Sequence, residues 1–115
     1  MKYTGGCHCG NVKFEVEMTI DKLISCNCSI CSKRGHLLGF TEEKNFTLLK
    51  GQDSLSDYQF AKKNIHHYFC KNCGIRSFGK GTLPNGTKMR AINARCLDNV
   101  DLKQFSIMEY DGKSL

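Results

Sequence analysis

The chain has 115 residues, eight cysteines, one proline and a formal net charge of +6 at pH 7. That length predicts one domain, residues 1–115, whose modest core would gain from metal staples. No run is long and apolar enough to span a membrane, and no stretch of signal-peptide character precedes the first cysteine pair.

Taken in order, the chain opens on Cys7-His8-Cys9-Gly10, a turn that Gly5, Gly6 and Gly10 permit. Val12, Phe14 and Val16 then alternate with Lys13, Glu15 and Glu17, the period-two pattern of a half-buried strand. Residues 23–25 predict a short strand running into Cys26-Asn27-Cys28-Ser29-Ile30-Cys31. Residues 28–35 are too polar and turn-rich for a strand and predict a loop or a single helical turn. The next apolar run covers 36–40. Residues 46–49 predict a strand closed by Lys50-Gly51, and residues 54–60 another, followed by a hairpin turn at 61–64. Residues 65–69 are aromatic and β-prone and enter Cys70-Lys71-Asn72-Cys73-Gly74, so a cysteine knuckle ends one strand of a hairpin, as in a zinc ribbon. Residues 76–81 continue that hairpin, Pro84-Asn85-Gly86 is a turn, and 88–97 is the longest strand candidate. Residues 98–104 predict a short helix or turn capped by Asp98, and 105–110 a last strand. No segment beyond about two turns has helical periodicity. The expected fold is mainly β: several short antiparallel strands, little helix, pinned by metal.

The cysteines carry the chemistry. With no leader the chain is expected to be cytoplasmic, where thiols stay reduced and grouped cysteines mean metal. A disulfide between Cys7 and Cys9 would close a strained ring, whereas both thiolates can face one ion. A C-x-C motif paired with a distant C-x-x-C-G gives Cys7, Cys9, Cys70 and Cys73, four thiolates for a closed, structural zinc site. The glycine after each second cysteine lets backbone N–H groups point at the sulfurs. Cys26, Cys28 and Cys31 supply only three, and the spacing leaves two readings open. One is a second structural zinc completed by a histidine (His36, or His8, His66 or His67) or by Cys96. The other is an open site whose fourth position takes water or a substrate thiol.

Cys96 falls in the 88–97 strand, where a small core residue is the ordinary role, although Arg95 beside it could lower its pKa and make it reactive. His66 and His67 alternate across a strand, one in and one out, and suit packing or a supporting hydrogen bond better than ligation. Asn93, Arg90 and Arg95 could line a pocket for a carboxylate. Seven thiolates bring −7 and two zinc ions +4, so the loaded chain carries +3. Its basic residues are dispersed, with Lys33-Arg34 and Lys62-Lys63 the only adjacent pairs, which argues against nucleic acid and for a solvated surface.

The three clusters, in this order, resemble the glutathione-dependent formaldehyde-activating enzyme family, also called the centromere protein V/GFA domain, over nearly the whole chain. Gly6-Cys7-His8-Cys9-Gly10 matches its opening C-x-C-G, and Cys26-Asn27-Cys28-Ser29-Ile30-Cys31 its C-x-C-x-x-C. Tyr68-Phe69-Cys70-Lys71-Asn72-Cys73-Gly74 matches its aromatic-C-x-x-C-G, and Asn93-Ala94-Arg95-Cys96-Leu97-Asp98 resembles its N-x-R-x-L-D segment. The chain departs from it at His36, after Gly35, where members often have a small residue. The resemblance implies an Mss4-like, mainly β fold with two zinc ions. It puts the structural zinc on Cys7, Cys9, Cys70 and Cys73, and a second, catalytic-type zinc on Cys26, Cys28 and Cys31, favouring the open site. It implies a carbon–sulfur lyase-type enzyme that joins glutathione, as co-substrate, to formaldehyde as S-hydroxymethylglutathione. Two rivals stand beside it. A zinc-stabilised β module binding protein or nucleic acid would show a clustered basic or aromatic face. A redox enzyme working through Cys96 is the other, since the Mss4-like fold also hosts methionine sulfoxide reductases.

Overall fold

The alternating run at the start of the chain forms a strand whose neighbours build the first sheet. The computed structural model describes residues 1–59 and 65–112. In it β2 (Lys13–Glu17) buries Phe14 and Val16 and turns Lys13 and Glu17 to solvent, as the pattern requires. It pairs antiparallel with β1 (Lys2–Gly6) on one side and β5 (Phe46–Lys50) on the other. A second sheet holds seven strands in the order β10-β3-β4-β9-β8-β7-β6. These are β3 (Lys22–Cys26), β4 (Leu38–Glu42), β6 (Leu55–Tyr58), β7 (Ile65–Cys70), β8 (Phe78–Thr82), β9 (Lys88–Asn93) and β10 (Ser106–Tyr110). Helix among the described residues is limited to 3-10 turns of three residues, so the fold is mainly β, as expected.

The core lies between the sheets. Phe14 stacks on Phe46 at 5.5 Å and meets Phe78 edge-on at 5.9 Å, and Val12, Val16, Leu23, Ile92 and Leu97 close around them. Burying large aromatic rings with this geometry is the main stabilising term a chain of this size can draw on.

Four expectations need correction. β1 was not anticipated, because two of its five residues are glycine, which disfavours strands. Packing explains it: a Cβ on Gly5 would stand 2.5 Å from the Cys96 carbonyl oxygen and 2.8 Å from the Phe14 ring, so only glycine lets this strand lie against the core. The strand expected over 88–97 stops at Asn93, whose side chain accepts from the Arg95 N–H and starts a 3-10 turn at Ala94–Cys96. Asp98 is not a cap. Its carboxylate accepts from Thr4 Oγ1 at 3.0 Å, and Asp101 caps the turn at Leu102–Gln104. Finally, one pairing is parallel: β10 lies along β3, with Tyr110 opposite Cys26. Parallel pairing needs a long return path, and the 79 residues between the two strands provide it. The hairpin turn expected at 61–64 lies outside the described residues.

Candidate metal centres and an adjoining cleft

The first cluster joins the two sheets. Cys7 and Cys9 sit on the loop from β1 to β2, in the three-stranded sheet. Cys70 ends β7 of the seven-stranded sheet, and Cys73 follows it in a tight knuckle. Gly74 takes φ +80° there, the left-handed conformation that the C-x-x-C-G motif calls for. All four Sγ atoms lie within 4.8 Å of one another, with Cys9 Sγ 3.6 Å from both Cys7 Sγ and Cys70 Sγ. Four sulfurs bound to one tetrahedral ion would stand about 3.8 Å apart, so this donor set fits a metal. Backbone donors support it. The Val12 N–H donates to Cys7 Sγ at 3.3 Å, and the N–H groups of Ile75 and Cys9 hold the Cys73 thiol down to about 6. Such donors favour the thiolate, the form a metal binds.

The second cluster forms where β3 runs out. Cys26 is its last residue, Cys28 follows on the loop, and Cys31 opens the 3-10 turn Cys31–Lys33. The single helical turn expected after Cys28 is this turn. The three Sγ atoms again lie within 4.8 Å of one another. The Cys28 N–H donates to Cys26 Sγ at 3.5 Å, and the Cys31 N–H to Cys28 Sγ at 3.4 Å. Burial opposes the Cys28 thiolate, but the donors from Cys31 and Ile30 outweigh it and lower its pKa. Burial, with Cys28 beside it, pushes Cys31 up to about 12. A cation shared by the three sulfurs would favour the thiolate at each of them. The backbone at Gly112 crosses this cluster closely: a Cβ there would stand 2.7 Å from Cys26 Sγ.

Among the described residues, no histidine, carboxylate or further cysteine joins the triad as a fourth donor. Each suggested partner is seated elsewhere. His36 is buried, with Nδ1 3.0 Å from Arg76 Nη1. His8 is exposed. His66 bonds to Asp57 at 2.6 Å while His67 is buried, the one-out, one-in split its strand implied. Cys96 is half-buried, and its thiol lies 3.8 Å from the Arg76 carbonyl oxygen. Burial raises its pKa, so it is not the activated thiol that Arg95 suggested. Arg95 is exposed and donates through Nε to the Gly35 carbonyl oxygen.

A cleft of about 420 Å³ is walled by Arg34, which follows the triad, by Gly74, Ile75 and Arg76, which follow Cys73, and by His36, Phe69 and Asn93. Arg34 closes the 3-10 turn that Cys31 opens, its N–H donating to the Cys31 carbonyl oxygen at 3.1 Å. Thiolates at Cys28 and Cys31 would favour the charged form of both Arg34 and Arg76. Of Asn93, Arg90 and Arg95, which were expected to line a pocket together, only Asn93 lines this cleft. Arg90 lies over the Phe46 ring at 4.6 Å and pairs with Glu43 at 2.9 Å. Sequence reasoning missed Arg34 and Arg76, treating the first as surface charge and the second as the start of a strand. The signal available was position, since each follows a cysteine cluster by three residues.

Comparison with known proteins agrees with this geometry. A Rhodobacter sphaeroides protein known from its crystal structure is 26% identical, with a TM-score of 0.79 over 91% of this chain and 99% of that one. An Emericella nidulans protein named "Putative glutathione-dependent formaldehyde-activating enzyme" is 32% identical over 79 residues, 64% of this chain. The aligned stretch spans only 40% of that relative's length. The family model described as "Glutathione-dependent formaldehyde-activating enzyme" matches residues 2–109. With both cysteine clusters formed and that match running nearly end to end, the chain belongs to the glutathione-dependent formaldehyde-activating enzyme family.

Proposed function

We propose that the protein is a zinc-dependent carbon–sulfur lyase-type enzyme acting on glutathione or a related thiol adduct, of the S-hydroxymethylglutathione synthase kind, in the cytoplasm. Family membership supports this reading. The observation that carries it is the triad Cys26, Cys28 and Cys31, which no fourth described donor completes and which adjoins a cationic cleft. On this reading Cys7, Cys9, Cys70 and Cys73 hold a structural zinc, and the triad holds a second. All-sulfur donor sets select zinc over the hard cations. Zinc on three thiolates supplies Lewis acidity and an affinity for one more thiolate.

The chain's own residues do the rest. The N–H groups of Cys28 and Cys31 hold the sulfurs of Cys26 and Cys28 in place, and Arg34 and Arg76 set positive charge beside the position where a substrate thiolate forms. The chemistry is an addition with no change of oxidation state. The thiol sulfur attacks the aldehyde carbon and one carbon–sulfur bond forms. The carbonyl π pair moves onto oxygen, and the proton the thiol lost ends there. The reverse reaction breaks the same bond and returns the proton to sulfur. The test is the rate at which labelled formaldehyde and glutathione combine, followed by NMR with the zinc-loaded chain. The rate should exceed the spontaneous one and fall back to it in Cys28→Ser. A rate that never exceeds the spontaneous one, or that survives in Cys28→Ser, overturns the reading.

A further inference from the structure

Two guanidinium groups face the cleft with no acid to neutralise them. Arg76 is 7% exposed, and among the described residues neither it nor Arg34 takes part in any ion pair. The Arg76 guanidinium meets His36 at 3.0 Å, and this contact brings no counter-charge, because burial and the two arginines hold His36 neutral. A guanidinium only donates, so His36 Nδ1 must accept from Arg76 Nη1, which puts the imidazole proton on Nε2. That Nε2 is itself buried without a partner, as are Arg76 Nε and Arg34 Nη1. Among the described residues, the walls of the cleft therefore hold three buried N–H donors with no hydrogen-bond partner.

A folded chain avoids burying unpaired donors and charge, because both lose their hydration. Here the fold makes room for the arrangement. A Cβ on residue 79 would stand 2.4 Å from Arg76 Nη2, and the chain has glycine at that position. Asn93 Nδ2 donates to the Arg76 carbonyl oxygen at 2.9 Å, fixing the backbone that carries the buried guanidinium. The triad alone does not neutralise the pair. Three thiolates with one divalent ion carry a net −1 against two guanidinium charges, and the three N–H groups stay unmet.

We propose that this cleft is an anion site that binds a carboxylate of a small organic acid, its oxygens accepting from Arg76 Nε and Arg34 Nη1 while Phe69 and Ile75 cover the adjoining carbon skeleton. A planar carboxylate offers two acceptors to matching N–H groups, the geometry guanidinium recognises best. The cleft volume lies within the range of small-molecule sites. If the function proposed above holds, the acid is the thiol substrate, anchored by its carboxylate with its sulfur at the triad. The anion site itself does not depend on that reading.

The chain has four arginines, so their side-chain Nε–H resonances can be followed one by one in the zinc-loaded, full-length protein. Three probes are added in turn: succinate, which has no thiol; S-methylglutathione, whose thiol is blocked; and inorganic phosphate. Succinate and S-methylglutathione should shift the Arg76 Nε–H resonance saturably. Their affinity should drop about tenfold or more in Arg34→Gln, the scale of one hydrogen bond to a charged group. The wild-type titration needs no variant, so a substitution that fails to fold leaves it intact. An Arg76 resonance that no carboxylate moves overturns the proposal, and so does one that phosphate moves and carboxylates do not. A succinate shift in a protein that does not accelerate the glutathione reaction keeps the anion site and refutes the enzyme reading. Acceleration without any shift does the opposite.

Discussion

Cys70 and Cys28 have the same side chain and opposite expected roles. Cys70 is 1% exposed, packs in the core and touches a four-sulfur set. Cys70→Ser should cost several kcal/mol in chemical denaturation, the scale of a lost structural metal, compounded by a buried hydroxyl. Cys28 is half-buried on a loop, so Cys28→Ser should stay within about 1 kcal/mol of the parent while losing the second zinc. Equal losses of stability in the two variants would refute the division of roles. His36 gives a pH prediction. Burial, then the charges of Arg76 and Arg34, hold its pKa at about 4. The unfolded chain binds a proton near pH 6.5 that the folded chain refuses, so this share of stability is complete above pH 6.5 and is lost as the pH falls towards 4. It amounts to about 3 kcal/mol. In His36→Asn the urea midpoint should fall less steeply over that window than in the parent. Zinc loss in acid is common to both proteins, and parallel curves would contradict the assignment. The cysteines and the split between His66 and His67 were legible in the sequence because spacing and alternation place them. Arg34 and Arg76 were not, because a charge buried without a partner depends on what the rest of the chain packs around it.

At the scale of elements, alternation located β2, short apolar or aromatic runs located β3, β5 and β7, and the spacing of polar and turn residues located the 3-10 turn within the triad loop. β1 was hidden because its glycine is chosen by tertiary contact. Gly5→Ala would drive a methyl group into the Cys96 carbonyl and the Phe14 ring, and should destabilise by about 1–3 kcal/mol, read from the denaturation midpoint. An unchanged midpoint would mean that β1 does not pack as described. The early end of β9 has a similar cause: Asn93 finds a local partner in the Arg95 N–H and leaves the sheet ladder. The parallel β3–β10 pair has no local signature at all, since its partners are far apart in sequence. It brings Gly112 to the triad, where there is no space for a side chain against Cys26. Gly112→Ala should lower zinc occupancy at the triad and leave the four-cysteine cluster loaded, as metal analysis after dialysis would show. Full loading of both clusters would remove Gly112 from the account.

Across the whole molecule, the four-cysteine cluster ties the three-stranded sheet to the seven-stranded one, while the triad lies entirely within the larger sheet and its loops. One cluster is thus placed to hold the fold together, and the other lies on a loop that leads through Arg34 into the cleft. The central claim follows from that placement: two zinc ions, one structural and one open to a thiol. Native mass spectrometry of the zinc-reconstituted chain, with and without glutathione, tests it most directly. The account predicts two zincs and a retained glutathione adduct in the parent, and one zinc with no adduct in Cys28→Ser. A parent that holds a single zinc, or an adduct undiminished in Cys28→Ser, would contradict it.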